Sequence, residues 1–135
     1  MGFNEEAERR LMFEVKVAAG FCASHRVREA DGSYEPLHGH NWRVVATARA
    51  AKLNGMEMAL DFRAFEAMLK DAIDDLDHFH LNDLAPFAGK SPTAERVAEL
   101  VFVRIAPKVR ALGCDLARVD VWEAETSVAS FILEA

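Results

Sequence analysis

Two long stretches of the chain alternate between apolar and other residues, and each contains histidine at one end. In residues 13–25 every second residue is apolar, and His25 continues that side of the pattern. In residues 38–48, Trp42 and Val44 share their parity with His38 and His40. Alternation with a period of two is typical of β-strands that bury one face. The sequence therefore predicts strands over about 11–25 and 38–51, with these histidines on the core-facing side.

Three of the five histidines in the chain are placed where they can share one metal ion. His38 and His40 form a His-x-His pair, and residues two apart in a strand point to the same side of the sheet. Neutral imidazole suits zinc, and three protein nitrogens with a free fourth position are typical of catalytic zinc sites. We predict a zinc site at His25, His38 and His40. The alternative is that the pair consists of two ordinary histidines at a strand end.

The middle of the chain carries turn and helix signals. Asn54 followed by Gly55 favours a hairpin, after which residues 56–60 would return as an antiparallel strand. Apolar residues then recur every three or four positions and predict a helix over 62–76, with Asp61 as its N-cap.

A second helix and two further strands are predicted in the C-terminal part. Ser91 followed by Pro92 is a start signal for this helix, and Pro107 would kink or end it before Gly113. Alternation then predicts strands near 117–123 and 128–133. The element order is β, β-hairpin, α, α, β, β, an α+β class with the helices on one face of the sheet.

Bulk properties limit the kinds of partner. The 135 residues suit one domain over 11–135 that follows a polar tail at 1–10. The formal net charge is −6 and no basic run is present, so we expect neither nucleic acid nor membrane as a partner. The expected partner is a small molecule. The charged start lacks an apolar signal core, and we expect a cytoplasmic protein.

Three acidic positions could carry chemistry. Glu35 precedes His38 by three residues and is either a general base beside the metal or one of many loop acids. Asp77 and His78 lie at the end of the first predicted helix. The pair is either a proton shuttle or an ordinary solvated helix end. Glu123 closes an apolar strand face, where it would either clamp a ligand with two adjacent N–H donors or reach water.

Six segments, read in order, resemble the 6-pyruvoyl-tetrahydropterin synthase family, which includes the bacterial 6-carboxytetrahydropterin synthases of queuosine biosynthesis. The segments are FCASH, LHGHN, MALDF, LDHFHLND, SPTAE and VWEAETSVA. The resemblance implies the tunnelling fold, ββααββ, with a four-stranded antiparallel sheet and two helices on one face. It also implies assembly through trimers into a homohexamer with a continuous barrel, and sites between subunits.

The resemblance also assigns roles to individual residues. By it, the three histidines hold zinc, Asp77 and His78 transfer protons, and Glu123 anchors a pterin ring. The residues in segments that line the family's pterin pocket are Thr93, Thr126 and Ser127.

One departure from the family pattern affects the expected reaction. The family's usual catalytic cysteine lies shortly before the HGH segment, but here that loop reads DGSYEPLHGH and has none. Glu-x-x-His-Gly-His from Glu35 to His40 instead resembles the type III branch, in which a glutamate replaces the cysteine. That likeness implies formation of 6-hydroxymethyl-7,8-dihydropterin, for folate synthesis, from 7,8-dihydroneopterin triphosphate.

Two other hypotheses remain open. The first is a 6-carboxy-5,6,7,8-tetrahydropterin synthase in which Tyr34 or Asp31 replaces the cysteine. The second is a pterin-binding paralogue that keeps the zinc site and the pocket without turnover.

Overall fold

Two long strands carry the fold, as the alternating sequence predicts. The computed structural model describes residues 11–134, so the predicted polar tail at 1–10 lies outside the described residues. The strands are β1 (Phe13–His25), β2 (His38–Ala50), β3 (Phe79–His80), β4 (Asp115–Ala124) and β5 (Ser127–Ile132). The helices are α1 (Phe62–Ile73) and α2 (Ala94–Ala111). Single 3-10 turns lie at 74–76, 81–83 and 85–87.

The strands form one sheet in the order β3-β1-β2-β4-β5. The pairs β1–β2, β2–β4 and β4–β5 are antiparallel, whereas β3 runs parallel to β1. The predicted α+β class is confirmed, but the sheet has five strands and is mixed, not four-stranded and purely antiparallel. Within residues 11–134, neither helix is both long enough and apolar enough to cross a membrane.

The short strand β3 exists because the loop after α1 is fastened to the free edge of β1. Asp77 Oδ1 accepts a hydrogen bond from the backbone N–H of Cys22 at 2.9 Å. His78 has a φ of 66°, and its N–H donates to the carbonyl of Cys22 at 2.6 Å. Left-handed backbone is uncommon for residues other than glycine. No periodic sequence pattern predicts such a loop, and the prediction therefore missed β3.

Both helices cover the same face of the sheet, and the core lies between them. α1 packs on β1, while α2 packs on β4 and β5. The largest fully buried apolar side chains are Trp42, Phe65, Leu69, Leu76, Leu81 and Ile105. Cys22 lies on the other face, as strand parity predicts, with its Sγ 2.9 Å from Asn41 Oδ1. The helix-covered face is also the face that carries the three histidines.

The predicted hairpin after Asn54 is wrong. The Asn54 Oδ1 accepts hydrogen bonds from the N–H groups of Met56, at 2.8 Å, and Met58, at 3.1 Å. Glu57 between them has a φ of 62°. Because the turn uses these N–H groups internally, they are not available to a neighbouring strand, and residues 56–60 form none.

The start of the second helix also differs from the prediction. Thr93 is its N-cap, and the Thr93 Oγ1 accepts a hydrogen bond from the N–H of Arg96 at 3.2 Å. Pro92 therefore lies outside the helix, not in its first turn. At the other end the helix continues through Pro107 to Ala111, so this proline does not end it.

The cap of α1 is confirmed and can be tested. Asp61 accepts a hydrogen bond from the N–H of Arg63 at 2.9 Å. Replacing Asp61 by Ala should lower the free energy of unfolding by about 0.5–2 kcal/mol, since one N–H of the first turn loses its acceptor. Urea unfolding followed by circular dichroism would measure this change. The matched Asp61→Asn variant keeps a side-chain acceptor and should lose clearly less; equal losses would contradict the capping role.

Candidate metal centre

Three imidazoles and one carboxylate converge where β1 ends and β2 begins. The ligand atoms of His25, His38, His40 and Glu123 all lie within 4.8 Å of one another. His25 Nε2 is 2.9 Å from His38 Nε2 and 2.7 Å from Glu123 Oε1. The same oxygen is 2.9 Å from His40 Nε2 and 3.6 Å from His38 Nε2. We call these four residues the metal cluster.

The pairing of β2 with β1 and with β4 brings the metal cluster together. His25 and His38 are direct partners in the β1–β2 pairing, and His40 lies two residues further along β2 on the same face. The β4–β5 pairing is irregular between Trp122 and Ala124, the segment that contains Glu123. In the β2–β4 pairing Val121 is the partner of Val44. Glu123 lies two residues beyond Val121 in β4, so alternation places its carboxylate on the same face as the histidines.

Backbone carbonyls fix the orientation of two of the rings. His25 Nδ1 is 2.8 Å from the Pro92 carbonyl, and His38 Nδ1 is 2.9 Å from the Pro36 carbonyl. A carbonyl only accepts, so each Nδ1 carries the proton and each neutral ring presents the lone pair of Nε2 to the cluster. Carbonyl partners of this kind orient metal-binding histidines.

The donor set fits a metal ion. In neutral rings the Nε2 atoms of His25 and His38 are both acceptors, yet they lie 2.9 Å apart with a carboxylate oxygen beside them. Such an arrangement repels itself unless positive charge lies among the acceptors. Three imidazole nitrogens and one carboxylate oxygen are ligands that zinc accepts.

Burial affects the histidines unequally. His25 is fully buried, whereas the side chains of His38 and His40 are about one third and one quarter exposed. The pKa of His40 is lowered, mainly because burial disfavours its charged form. The pKa of His38 is raised, first by its hydrogen bond to the Pro36 carbonyl and then by the nearby carboxylates. His40 Nε2 is close to Glu123 but has no hydrogen-bond geometry to any described residue, as expected of a lone pair directed at an ion.

Trp42 supports the cluster from the core. Its ring lies edge-on to His25 and His40, with centroid distances of 4.9 and 5.7 Å. Its indole N–H donates to the carbonyl of Ala23 at 3.2 Å, which holds the indole against β1. The histidine rings therefore have an apolar wall on their inner side.

Glu35 is the predicted catalytic residue that lies next to the metal cluster. The loop between β1 and β2 folds back on itself, with a bridge between Arg28 and Tyr34 and a hydrogen bond from the Glu35 N–H to the Val27 carbonyl. Glu35 Oε1 accepts from the N–H of Val27 at 3.0 Å and is 3.6 Å from His38 Nε2. The small hairpin holds this carboxylate at the edge of the site.

Asp77 and His78 form a pair but do not belong to the metal cluster. Asp77 Oδ2 is 3.0 Å from His78 Nδ1. The pKa of Asp77 is lowered, first by the hydrogen bond from Cys22 and then by His78. The pair is bonded to Cys22, which precedes His25 by three residues, and neither side chain has a hydrogen bond or ion pair to a residue of the cluster. An open cleft of about 440 Å³ borders both His78 and His40.

The other predicted site residues lie elsewhere. Thr93 caps α2, Thr126 lies in the exposed turn between β4 and β5, and the exposed Ser127 begins β5. Tyr34 is exposed with Arg26 and Arg28 near its ring, and the hydrogen bond from Arg28 lowers its pKa.

Asp31 is occupied within its own turn. The Asp31 carboxylate accepts hydrogen bonds from the Ser33 hydroxyl and from the Ser33 N–H, the latter at 2.9 Å. Both hydrogen bonds lower the pKa of Asp31, the one from the hydroxyl more strongly. Of the acids in this loop, Glu35 is the one paired with a cluster histidine.

Sequence reasoning missed the orienting groups. The carbonyls of Pro36 and Pro92 belong to backbone, which carries no residue-type signal. Alternation puts Trp42 on the same side as His38 and His40, but it does not show which rings the indole contacts. Glu123 is predicted on the apolar face of its strand as a pterin anchor, and its place in the ligand set depends on the pairing of β4 with β2.

The metal cluster gives a direct prediction. Replacing His40 by Ala should lower the zinc content of the protein, since the cluster loses one of its three nitrogen ligands and binds the ion more weakly. Metal analysis after dialysis against a weak chelator would measure it. The His80→Ala variant is the control, because His80 bonds Ser24 Oγ at 2.9 Å outside the cluster. Equal zinc content in both variants would refute the assignment.

Comparisons with known proteins agree with this architecture. The family model described as 6-pyruvoyl tetrahydropterin synthase matches residues 14–134. The 6-carboxy-5,6,7,8-tetrahydropterin synthase of Helicobacter pylori strain J99 is 37% identical over 62 residues, which is 44% of this chain and 31% of that protein. The corresponding protein of strain 26695 is 36% identical over 62 residues. The matched region thus spans about a third of these curated relatives.

Solved structures share the fold at low sequence identity. The Caenorhabditis elegans 6-pyruvoyl tetrahydropterin synthase has a TM-score of 0.75 at 19% identity, covering 92% of this chain and 97% of that one. A Plasmodium vivax 6-pyruvoyltetrahydropterin synthase, with a catalytic glutamate replaced by alanine, has a TM-score of 0.74 at 17% identity and covers 90% and 97%. The expected tunnelling fold is therefore confirmed, and the chain belongs to the 6-pyruvoyl tetrahydropterin synthase family.

Proposed function

We propose that this protein is a zinc-dependent lyase that acts on the side chain of 7,8-dihydroneopterin triphosphate, with Glu35 as its base. One observation carries the proposal. The Glu35 carboxylate lies 3.6 Å from a ligand atom of the metal cluster, in a loop that contains no cysteine. A glutamate is also the residue named as catalytic in the Plasmodium vivax relative.

The histidines of the metal cluster would bind the zinc ion, and the zinc ion would activate the substrate. His25, His38 and His40 would hold the zinc through their Nε2 atoms. Bound there, zinc supplies Lewis-acid stabilisation of negative charge that develops on substrate oxygen.

Glu35 is placed to accept a proton. Its Oε1 is held by the N–H of Val27, which fixes the side chain without protonating it. The carboxylate takes the proton of the hydroxyl on the second side-chain carbon, and the bond from that carbon to the first breaks. The second carbon leaves as a phosphorylated aldehyde. The bond's electron pair stays on the first carbon, next to the ring.

Asp77 and His78 complete the reaction. His78, oriented by Asp77, returns a proton to the first carbon, giving 6-hydroxymethyl-7,8-dihydropterin. Within one chain the pair is held at the edge of β1 and has no bond to the metal cluster, although the same cleft borders His78 and His40. We therefore propose that the pair serves the site of a neighbouring subunit in a homohexamer, as the family resemblance implies. Glu123, Thr93, Thr126 and Ser127 would contact the pterin.

A second candidate has separate support. The curated relatives are 6-carboxy-5,6,7,8-tetrahydropterin synthases, and they favour this product over the hydroxymethyl product. The position of Glu35 and the lack of a loop cysteine favour the hydroxymethyl product. Both candidates use the same pterin substrate and the same zinc site, so product identity separates them.

Glu35 can be tested by a conservative substitution. Glu35→Gln should reduce turnover by about 100-fold or more, since a general base contributes roughly that factor. Zinc content should stay unchanged because Glu35 is outside the metal cluster. Glu29→Gln is the matched control, as Glu29 lies in the same loop on the exposed surface. Full activity in Glu35→Gln would remove Glu35 from the mechanism.

Product analysis decides between the candidates. Zinc-loaded protein would be incubated with 7,8-dihydroneopterin triphosphate and the pterins identified by mass spectrometry. We expect 6-hydroxymethyl-7,8-dihydropterin. A 6-carboxytetrahydropterin product would establish the second candidate. A 6-pyruvoyl-tetrahydropterin product would establish the reaction after which the family is named. Unchanged substrate with tight pterin binding would identify a non-catalytic paralogue.

A further inference from the structure

We propose that Glu123 is a fourth protein ligand of the metal ion, which closes the site before substrate binds and then withdraws to admit it. This inference rests on the metal site of the proposed function. The prediction from sequence was a site with three histidines and an open fourth position, in which Glu123 only anchored the pterin. The structure places this carboxylate among the histidines instead.

The contacts of Glu123 point to a ligand role. Its Oε1 lies 2.7 Å from His25 Nε2 and 2.9 Å from His40 Nε2. Among the described residues it makes no hydrogen bond outside the metal cluster. A carboxylate in contact with two imidazole nitrogens is in position to bind the cation that these nitrogens bind.

Glu123 is also the ligand that can leave. His25 is fully buried, and both His25 and His38 are fastened through Nδ1 to backbone carbonyls. Glu123 has no such anchor, lies at an irregularity near the end of β4, and its side chain is 30% exposed. Two of the histidines are thus fixed by backbone carbonyls and His40 packs against Trp42, so the carboxylate is the exchangeable member.

Closing the site and anchoring the pterin exclude each other at this residue. A clamp on two adjacent N–H donors needs both carboxylate oxygens. In the structure Oε1 faces the histidines, so it must turn away before it can face a ring. Substrate binding would therefore open a metal position and supply the ring anchor in one movement of Glu123.

The test measures metal binding without substrate. Cobalt(II) replaces zinc as a probe, because its visible absorption reports the number and kind of ligands. Wild type, Glu123→Ala, Glu123→Gln and Glu125→Gln would be compared. Glu125 is the matched control, since it is an exposed acid two residues after Glu123, in the turn that follows β4. Zinc affinity would be measured in parallel by competition with a chromophoric chelator, and circular dichroism would check folding.

We expect Glu123→Ala to lower zinc affinity by about tenfold or more and to change the cobalt spectrum, with a smaller effect in Glu123→Gln. Glu125→Gln should match the wild type in both. A folded Glu123→Ala variant with wild-type affinity and spectrum would overturn the proposal. If Glu123→Ala is misfolded, the spectrum and affinity of Glu123→Gln decide in the same way.

This result is independent of the reaction. Loss of affinity in the Glu123 variants together with a catalytically inactive wild type would support the ligand role and reject the proposed function. Normal metal binding in those variants together with an active wild type would reject the ligand role of Glu123 and support the proposed function. Adding 7,8-dihydroneopterin to cobalt-loaded wild type should also shift the spectrum, as the carboxylate leaves. An unchanged spectrum with bound pterin would overturn the withdrawal step.

Discussion

The antiparallel pairing of β1 with β2 places His25 directly opposite His38, and the rest of the site is built on this register. Side chains alternate between faces, so a shift by one residue would move these histidines to opposite sides of the sheet. The register is held by the core on the helix-covered face, where Phe21 pairs with Trp42. Packing of apolar side chains and assembly of the metal cluster therefore depend on the same alignment.

Burial of the metal cluster imposes further requirements. A fully buried imidazole such as His25 needs hydrogen-bond or metal partners, because an unsatisfied polar group in the core is costly. The Pro92 carbonyl satisfies one ring nitrogen, and the cluster faces the other. That carbonyl is available because α2 begins after Pro92, with Thr93 as its cap. The late helix start thus serves both the helix and the metal centre.

The positions of the acidic residues follow from loop structure. Glu35 is fixed beside His38 by a small hairpin, and Asp77 is fixed to β1 by the N–H of Cys22. Spacing along the chain places Glu35 near the metal cluster, since it is three residues from His38. The place of Asp77 depends on a residue 55 positions away. A single chain therefore has Glu35 at its own cluster and the Asp77–His78 pair at the edge of β1.

The sequence alone determined the strands, the helix-covered face and the shared side of the three histidines, because alternation and helical spacing are local patterns. It also determined that the loop before His38 offers Glu35 and no cysteine. Only the tertiary structure decided that residues 56–60 form a turn, that β3 joins the sheet and that Glu123 enters the metal cluster. The first two depend on side-chain to backbone hydrogen bonds, which leave no periodic signal in the chain. The third depends on the pairing of β4 with β2, which joins segments that are far apart in the sequence.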